Sequence, residues 1–123
     1  MIRTLLVATL LAAAAMPASA AALLGDFDCS SDLDGPYTPA GLLRIEEPTR
    51  FSFLDPDTAK PGKRFPMELV TDEIVNFDNA FAEHISPGAI MIEASMFEDA
   101  YAYEAAILTA EGQLVLVSCP YIY

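Results

Sequence analysis

Tryptophan is absent from this 123-residue sequence, histidine occurs once, and lysine and arginine together occur six times against eighteen acidic residues. The formal net charge of −12 at pH 7 argues against nucleic acid or anionic membranes as partners, because both carry negative charge. A basic protein or a divalent cation would be attracted instead, although the same charge also describes an ordinary solvated surface. The single histidine limits zinc sites, which usually need several nitrogen or sulfur ligands.

The sequence also lacks an apolar run long enough to cross a bilayer, which needs about 20 residues. Its N-terminus has the three parts of an export signal: Arg3, the apolar run 5–15 and the small residues 18–20 at a cleavage site. We predict that residues 1–20 are removed as a signal peptide, and a cut after Ala22 is the alternative.

Residues 21–123 are expected to form a single domain in the periplasm or outside the cell, without a membrane anchor. This chain would hold 103 residues, enough for one hydrophobic core but not for two. It would keep all eighteen acidic residues and five of the six basic ones, which gives a net charge of −13.

Cysteine is scarce, since Cys29 and Cys119 are the only two. An exported chain with two cysteines usually pairs them. We therefore predict a disulfide that joins the two ends of the mature domain. A catalytic thiol is the rival interpretation, but no C-x-x-C motif supports it.

Turn formers are abundant, with nine prolines and six glycines that divide the chain into short β-prone runs. The run 65–71 alternates apolar and polar residues as a half-buried strand does. Residues 105–119 predict a hairpin that turns at Glu111-Gly112. Further strand candidates are 42–45, 50–54 and 89–93. The pattern predicts a mainly β fold, an antiparallel meander, barrel or sandwich stapled by the terminal disulfide.

The segment 71–85 leaves two structures open. Ile74, Phe77, Phe81 and Ile85 have helical spacing, and Thr71 is a candidate N-cap. Ile74 to Phe77 also reads as a β-branched strand. An α+β fold with one helix near 71–85 is therefore the alternative to the mainly β fold.

The stretch 26–37, DFDCSSDLDGPY, concentrates four aspartates: Asp26, Asp28, Asp32 and Asp34. An EF-hand loop with Gly35 at its sixth position needs a glutamate at its twelfth, where Gly41 stands. A looser calcium site formed by the four aspartates is the functional hypothesis. The structural alternative, which we favour, is an aspartate-rich turn beside the disulfide. No other cofactor is predicted.

Two further features suggest chemistry. Lys60, Lys63 and Arg64 hold most of the positive charge of residues 21–123 and could form a binding loop, or merely a solvated hairpin loop. His84 could serve a hydrolase with Ser86 or Ser95 as nucleophile. The sequence has no Gly-x-Ser-x-Gly elbow, so a catalytic site at His84 is the less favoured interpretation.

An export signal followed by a small β domain with terminal cysteines resembles small periplasmic proteins of Gram-negative bacteria. Among these it is similar to the periplasmic C-type lysozyme inhibitors, since Cys29 in GDFDCS and Cys119 in LVLVSC match an early and a late cysteine. The resemblance implies a small β-barrel. The inhibitory Ser-Gly-x-x-Tyr-type motif is missing, because Ser95 is followed by Met-Phe-Glu-Asp-Ala-Tyr101.

We therefore expect an exported, acidic, non-catalytic domain that binds a partner through an acidic or aromatic surface; the sequence does not name the ligand, and a basic protein is one candidate. The alternatives are a calcium-binding domain that uses the aspartates of residues 26–34, and a hydrolase that uses His84.

Overall fold

The computed structural model describes residues 21–123, so the predicted signal peptide at 1–20 lies outside the described residues. The described chain forms eight strands and one short helix: β1 Gly25–Ser31, β2 Thr38–Glu47, β3 Arg50–Phe53, β4 Phe65–Leu69, β5 Val75–Phe77, α1 Ala80–Ile85, β6 Ile90–Phe97, β7 Ala102–Leu108 and β8 Leu114–Pro120. Within residues 21–123, no helix has the length and apolar character needed to cross a membrane.

The strands form one antiparallel sheet in the order β5-β4-β3-β2-β1-β8-β7-β6. This sheet curls into a nearly closed barrel. The barrel closes between β6 and the two residues just before β5: the Met96 N–H donates to the Glu73 carbonyl oxygen at 2.8 Å, and Ile74 bridges to Ser95. The predicted mainly β fold is confirmed, and the barrel is the layout adopted among those left open.

The first and last strands lie side by side. Ser30 is opposite Ser118 in the β1–β8 pairing, and the adjacent pair in the same register is Cys29 and Cys119. These two cysteines form the predicted disulfide. Because β1 begins the meander β1–β5 and β8 ends the meander β6–β8, this junction holds the two halves of the barrel together.

The barrel interior is filled by alternating side chains of each strand. In β8, Val115 and Val117 are buried while Leu114 and Leu116 are exposed, which is the period of two expected for a sheet with one dry face. The hairpin predicted over 105–119 is confirmed, since Leu108 pairs with Leu114 across its turn. Burial of the inward side chains supplies the main stabilising free energy, about 25 cal/mol per Å² of apolar surface.

Aromatic rings run through the core from one end to the other. Phe77 stacks on Phe81 of α1 with ring centroids 4.7 Å apart, and its edge meets Tyr103 at 5.6 Å. Tyr103 in turn meets Phe27 of β1 at 5.1 Å. These contacts connect α1, β5, β7 and β1 through a continuous apolar interior.

Residues 21–24 are anchored to the barrel by Tyr103. Its hydroxyl donates to the Leu23 carbonyl oxygen and accepts from the Leu23 N–H, both at 2.9 Å. Burial raises the pKa of the Tyr103 hydroxyl, so it stays a donor across the ordinary pH range. Leu23 itself is buried and closes one end of the barrel.

The segment 71–85 contains both of the structures that its sequence allows. Val75–Phe77 forms β5, and a helix begins at Ala80, whose N–H donates to Asp78 Oδ2 at 2.9 Å. The prediction that Thr71 caps the helix is wrong. Thr71 Oγ1 instead accepts from two backbone N–H groups, of Glu73 at 3.1 Å and Ile74 at 3.0 Å, in the tight turn before β5.

Asn79 completes the closure of the barrel beside α1. Its Oδ1 accepts from the Met91 N–H at 2.8 Å, and its Nδ2 donates to the Ala89 carbonyl oxygen at 3.1 Å. The side-chain amide thus pairs with the edge of β6 as the backbone of a neighbouring strand would.

The double variant Cys29→Ala/Cys119→Ala should lose about 4 kcal/mol of unfolding free energy, because the bridge spans 90 positions and restricts the unfolded chain. Guanidinium denaturation with and without reductant measures this loss. Reductant should lower the midpoint of the native chain and leave that of the double variant unchanged. Equal sensitivity of both chains to reductant would contradict the prediction.

Asn79→Ala should lower the unfolding free energy by about 1–2 kcal/mol, because it leaves the Met91 N–H and the Ala89 carbonyl without their partner. Urea denaturation measures the change. Asn76→Ala is the matched control, since Asn76 is exposed on β5, and it should change stability far less. Equal losses of unfolding free energy in the two variants would show that the hydrogen bonds of the Asn79 amide to Ala89 and Met91 do not stabilise the fold.

Candidate functional site

The acidic stretch near the start of the domain begins as a strand, which corrects the favoured interpretation as a turn. In β1, Phe27 and Cys29 are buried in the barrel while Asp26 and Asp28 lie on its outer face. The turn occupies only residues 32–37, between β1 and β2. The sequence signal for the strand was the strict alternation of polar residues with Phe27 and Cys29.

Two of the four aspartates have partners within the chain. Arg44 donates to both oxygens of Asp26, at 2.8 and 3.0 Å, and this hydrogen bonding lowers the pKa of Asp26. Asp32 Oδ1 accepts from the Leu116 N–H at 2.9 Å. Across residues 21–123, no three histidine, cysteine or acidic side chains are grouped so that they could hold a metal ion. Calcium binding stays a prediction from the sequence.

Two of the three cations of the predicted binding loop lie near other groups of this chain. Arg64 donates to Glu46 at 3.0 Å, and the Lys63 Nζ lies 5.4 Å from the centroid of the Phe65 ring. Lys60 is exposed beside the turn between β3 and β4. The structure therefore gives two of these cations a local partner, and the binding loop stays a prediction.

His84 packs with its ring flat on Phe53, and among residues 21–123 it forms no hydrogen bond with the serines proposed as its nucleophiles. Its ring stacks on Phe53 with centroids 3.7 Å apart and planes 6° from parallel. Gly41 lies directly beneath it, since a Cβ there would come within 2.6 Å of Nε2. Burial against these groups lowers the pKa of His84. No serine or carboxylate of residues 21–123 is hydrogen-bonded to His84, so the structure does not assemble a triad around it.

An open groove of about 440 Å³ lies on the outer face of the sheet, across β1, β8, β7 and β6. A row of four polar side chains crosses these strands at matching register: Ser30, Ser118, Glu104 and Ser95. Each faces outward because its neighbours along the strand are inside the barrel. The row presents three hydroxyls and one carboxylate to the groove.

A second row forms an apolar floor with a carboxylate at each end. Leu116 pairs with Ala106, and Ala106 pairs with Glu93. Asp32 extends the row beyond Leu116, because its N–H donates to the Leu116 carbonyl oxygen at 3.2 Å while its Oδ1 accepts from the Leu116 N–H. That second bond holds the Asp32 carboxylate in place and leaves Oδ2 free for a ligand.

The turn between β1 and β2 forms the rim of the groove. Pro36 and Tyr37 line it, and Tyr37 is 85% exposed. Within the described chain, the groove has three carboxylates, from Asp32, Glu93 and Glu104, and is lined by no lysine or arginine. Its chemistry suits a cationic group with an apolar stem.

Sequence reasoning identified only part of this groove. It singled out Asp32 as a metal ligand and Ser95 as a nucleophile, but it attached no role to Glu93, Glu104 or Tyr37. The available signal was that Ser118 falls at an outward position of the hairpin predicted over 105–119 and that Glu104 directly precedes this hairpin. Their alignment into one row depends on strand register, which the sequence pattern alone does not show.

Comparison with protein families, curated proteins and solved structures reveals no match to this chain. The resemblance to the C-type lysozyme inhibitors therefore rests on the two cysteines and the layout. Ser95 and Tyr101 do not act together here: Ser95 lies in the groove, whereas the Tyr101 hydroxyl donates to the Leu24 carbonyl oxygen at 2.9 Å.

His84 should make stability fall as the solution is acidified from pH 7.5 to 5.5. Its folded pKa is lowered from the ordinary 6.5, so the unfolded chain binds a proton that the folded chain resists. The stabilisation is fully present above the unfolded pKa of about 6.5 and is lost as the pH falls from there through the lower folded pKa. Asp26, whose pKa is also lowered, acts only below about pH 4.

Urea midpoints at the two pH values measure this effect in the native chain and in His84→Gln. The glutamine variant should show the smaller decrease on acidification, whatever its stability at pH 7.5. Parallel decreases in the two chains would show that His84 does not carry the pH dependence.

Proposed function

We propose that this protein is an exported, non-catalytic binding domain whose outer groove receives a basic segment of a partner protein. The observation that carries the proposal is the groove itself. Three carboxylates surround an apolar floor, and the lining from residues 21–123 contains no cation to neutralise them. Concave sites with an apolar floor and a few placed polar groups are typical ligand sites.

The carboxylates of the groove belong to ordered parts of the fold. The Asp32 carboxylate is fixed by the Leu116 N–H, and Glu93 and Glu104 stand on adjacent paired strands. A lysine or arginine side chain can lay its alkyl stem along Leu116 and Ala106 while its charged end meets a carboxylate at one end of this floor. Little conformational entropy would be lost by the protein, because the floor belongs to a rigid sheet.

The overall charge supports the same class of partner. Eighteen acidic residues against six basic ones give a field that attracts cations and raises the rate of encounter with a basic protein. This attraction acts over a Debye length of about 8–10 Å and weakens as salt is added. A basic hydrolase is one such partner, and the resemblance to C-type lysozyme inhibitors adds weight to that choice.

The disulfide supports the proposed location outside the cytoplasm. Bridges such as Cys29–Cys119 form and persist in oxidising compartments and are rare in the reducing cytosol. An exported domain would meet partner proteins in the periplasm or outside the cell.

The proposal is tested by titrating the ¹⁵N-labelled protein with the capped peptide Gly-Lys-Leu-Lys-Gly and recording amide chemical shifts. The shifted amides should cluster at residues 30–32, 93–95, 104–106 and 116–118. The double variant Asp32→Asn/Glu104→Gln should weaken binding roughly tenfold, because it removes two charges from the groove. The asparagine amide oxygen can still accept from the Leu116 N–H, so the fold is kept.

The matched control is Asp57→Asn/Glu68→Gln, which removes the same charge from two exposed side chains that do not line the groove. It should keep the native affinity within about twofold, since distant surface charges contribute little. Equal weakening by both double variants, or shifts spread over the whole acidic surface, would overturn the proposal in favour of diffuse charge attraction.

A further inference from the structure

Tyr37 has a backbone conformation that disfavours its own side chain. Its φ is 59°, in the left-handed region where glycine, asparagine and aspartate are preferred. The residue follows Pro36 at the end of the β1–β2 turn, a position that glycine would fill without strain. A large aromatic residue there costs folding free energy.

Tyr101 shows what a structural reason for such strain looks like. Its φ is 53°, its hydroxyl donates to the Leu24 carbonyl oxygen at 2.9 Å, and its ring centroid lies 4.6 Å from that of Tyr121. The strain at Tyr101 is thus offset by its contacts with Leu24 and Tyr121.

Tyr37 has no comparable contacts among residues 21–123. Its ring is paired with no other aromatic ring, its hydroxyl makes no hydrogen bond, and 85% of its surface is exposed. The one feature of the fold that the side chain adjoins is the acidic groove. Strained residues without a packing role are found at binding sites, where a ligand uses the position that the strain maintains.

The ring chemistry fits the charge of the groove. The face of an aromatic ring attracts ammonium and guanidinium groups, and the attraction increases when water is excluded. The ring of Tyr37 and a carboxylate of the same groove would both attract the charged end of a bound side chain. Asp32, Glu93 and Glu104 supply the negative charge of the groove, and Tyr37 adds the face of an aromatic ring at its rim.

We propose that Tyr37 is the recognition residue of the groove. Its ring contacts a lysine or arginine side chain of the partner by a cation–π interaction. This inference rests on the proposed function, since it assumes that the groove binds a basic segment. It adds what the groove recognises: one cationic side chain, which is bound by the ring of Tyr37 and by the carboxylates of the groove.

The test compares Tyr37→Gly and Tyr37→Phe in the same amide-shift titration with the capped peptide Gly-Lys-Leu-Lys-Gly. Tyr37→Gly should weaken binding roughly two- to tenfold, because it removes the cation–π contact. Tyr37→Phe should stay within about twofold of the native affinity, since it keeps the ring. Tyr123→Gly is the control, because Tyr123 is 98% exposed and does not line the groove, and it should bind as the native chain does.

Thermal unfolding separates recognition from a structural role. Tyr37→Gly should melt at the same temperature as the native chain or higher, because glycine relieves the strain of the positive φ. A melting temperature lowered by several degrees would show that the ring supports the fold, and would overturn the proposal. Equal weakening by Tyr37→Phe and Tyr37→Gly would assign the contact to the hydroxyl and also overturn it.

The double variant Asp32→Asn/Glu104→Gln tests the groove independently of Tyr37. If Asp32→Asn/Glu104→Gln weakens binding while Tyr37→Gly does not, the groove binds basic segments and the role of Tyr37 is refuted. If neither variant weakens binding, the proposed function and this inference fail together.

Discussion

The pairing of the first strand with the last is the interaction on which the rest of the structure depends. Two meanders, β1–β5 and β6–β8, are each built from neighbouring segments of the chain, and the β1–β8 pairing joins them into one sheet. The Cys29–Cys119 bridge holds that junction inside the barrel, with Phe27 and Tyr103 packed beside it. Contacts between chain ends carry the largest loop-closure entropy, which a covalent bridge offsets by restricting the unfolded state.

The groove is a consequence of the same junction. Its polar row begins on β1 and continues across β8, β7 and β6, so the groove combines residues from both ends of the chain. Closing the barrel turns the apolar alternation inward and leaves Ser30, Ser118 and Glu104 aligned on the outside. The bonds between Asp32 and Leu116 extend the junction and position a carboxylate at the edge of the groove.

Tyr37 at the rim of the groove and Tyr101 have the same unfavourable backbone conformation but different surroundings. Tyr101 is packed between Phe27 and Tyr121, while Tyr37 is exposed at the rim of the groove. A fold that is only marginally stable keeps such strain where the side chain contributes something in return. Tyr101 contributes packing. To Tyr37 we assign the recognition of a cation, in keeping with the net charge of −12.

The sequence by itself determined the fold class, because alternation and turn residues are local signals. The hairpin around Gly112, the strand at Met67 and the pairing of the two cysteines follow from such signals together with the predicted export. The tertiary structure alone decided that 71–85 divides into strand and helix, and that Glu104 joins a groove. Register and closure arise from contacts between residues distant in sequence, and local periodicity contains no record of them.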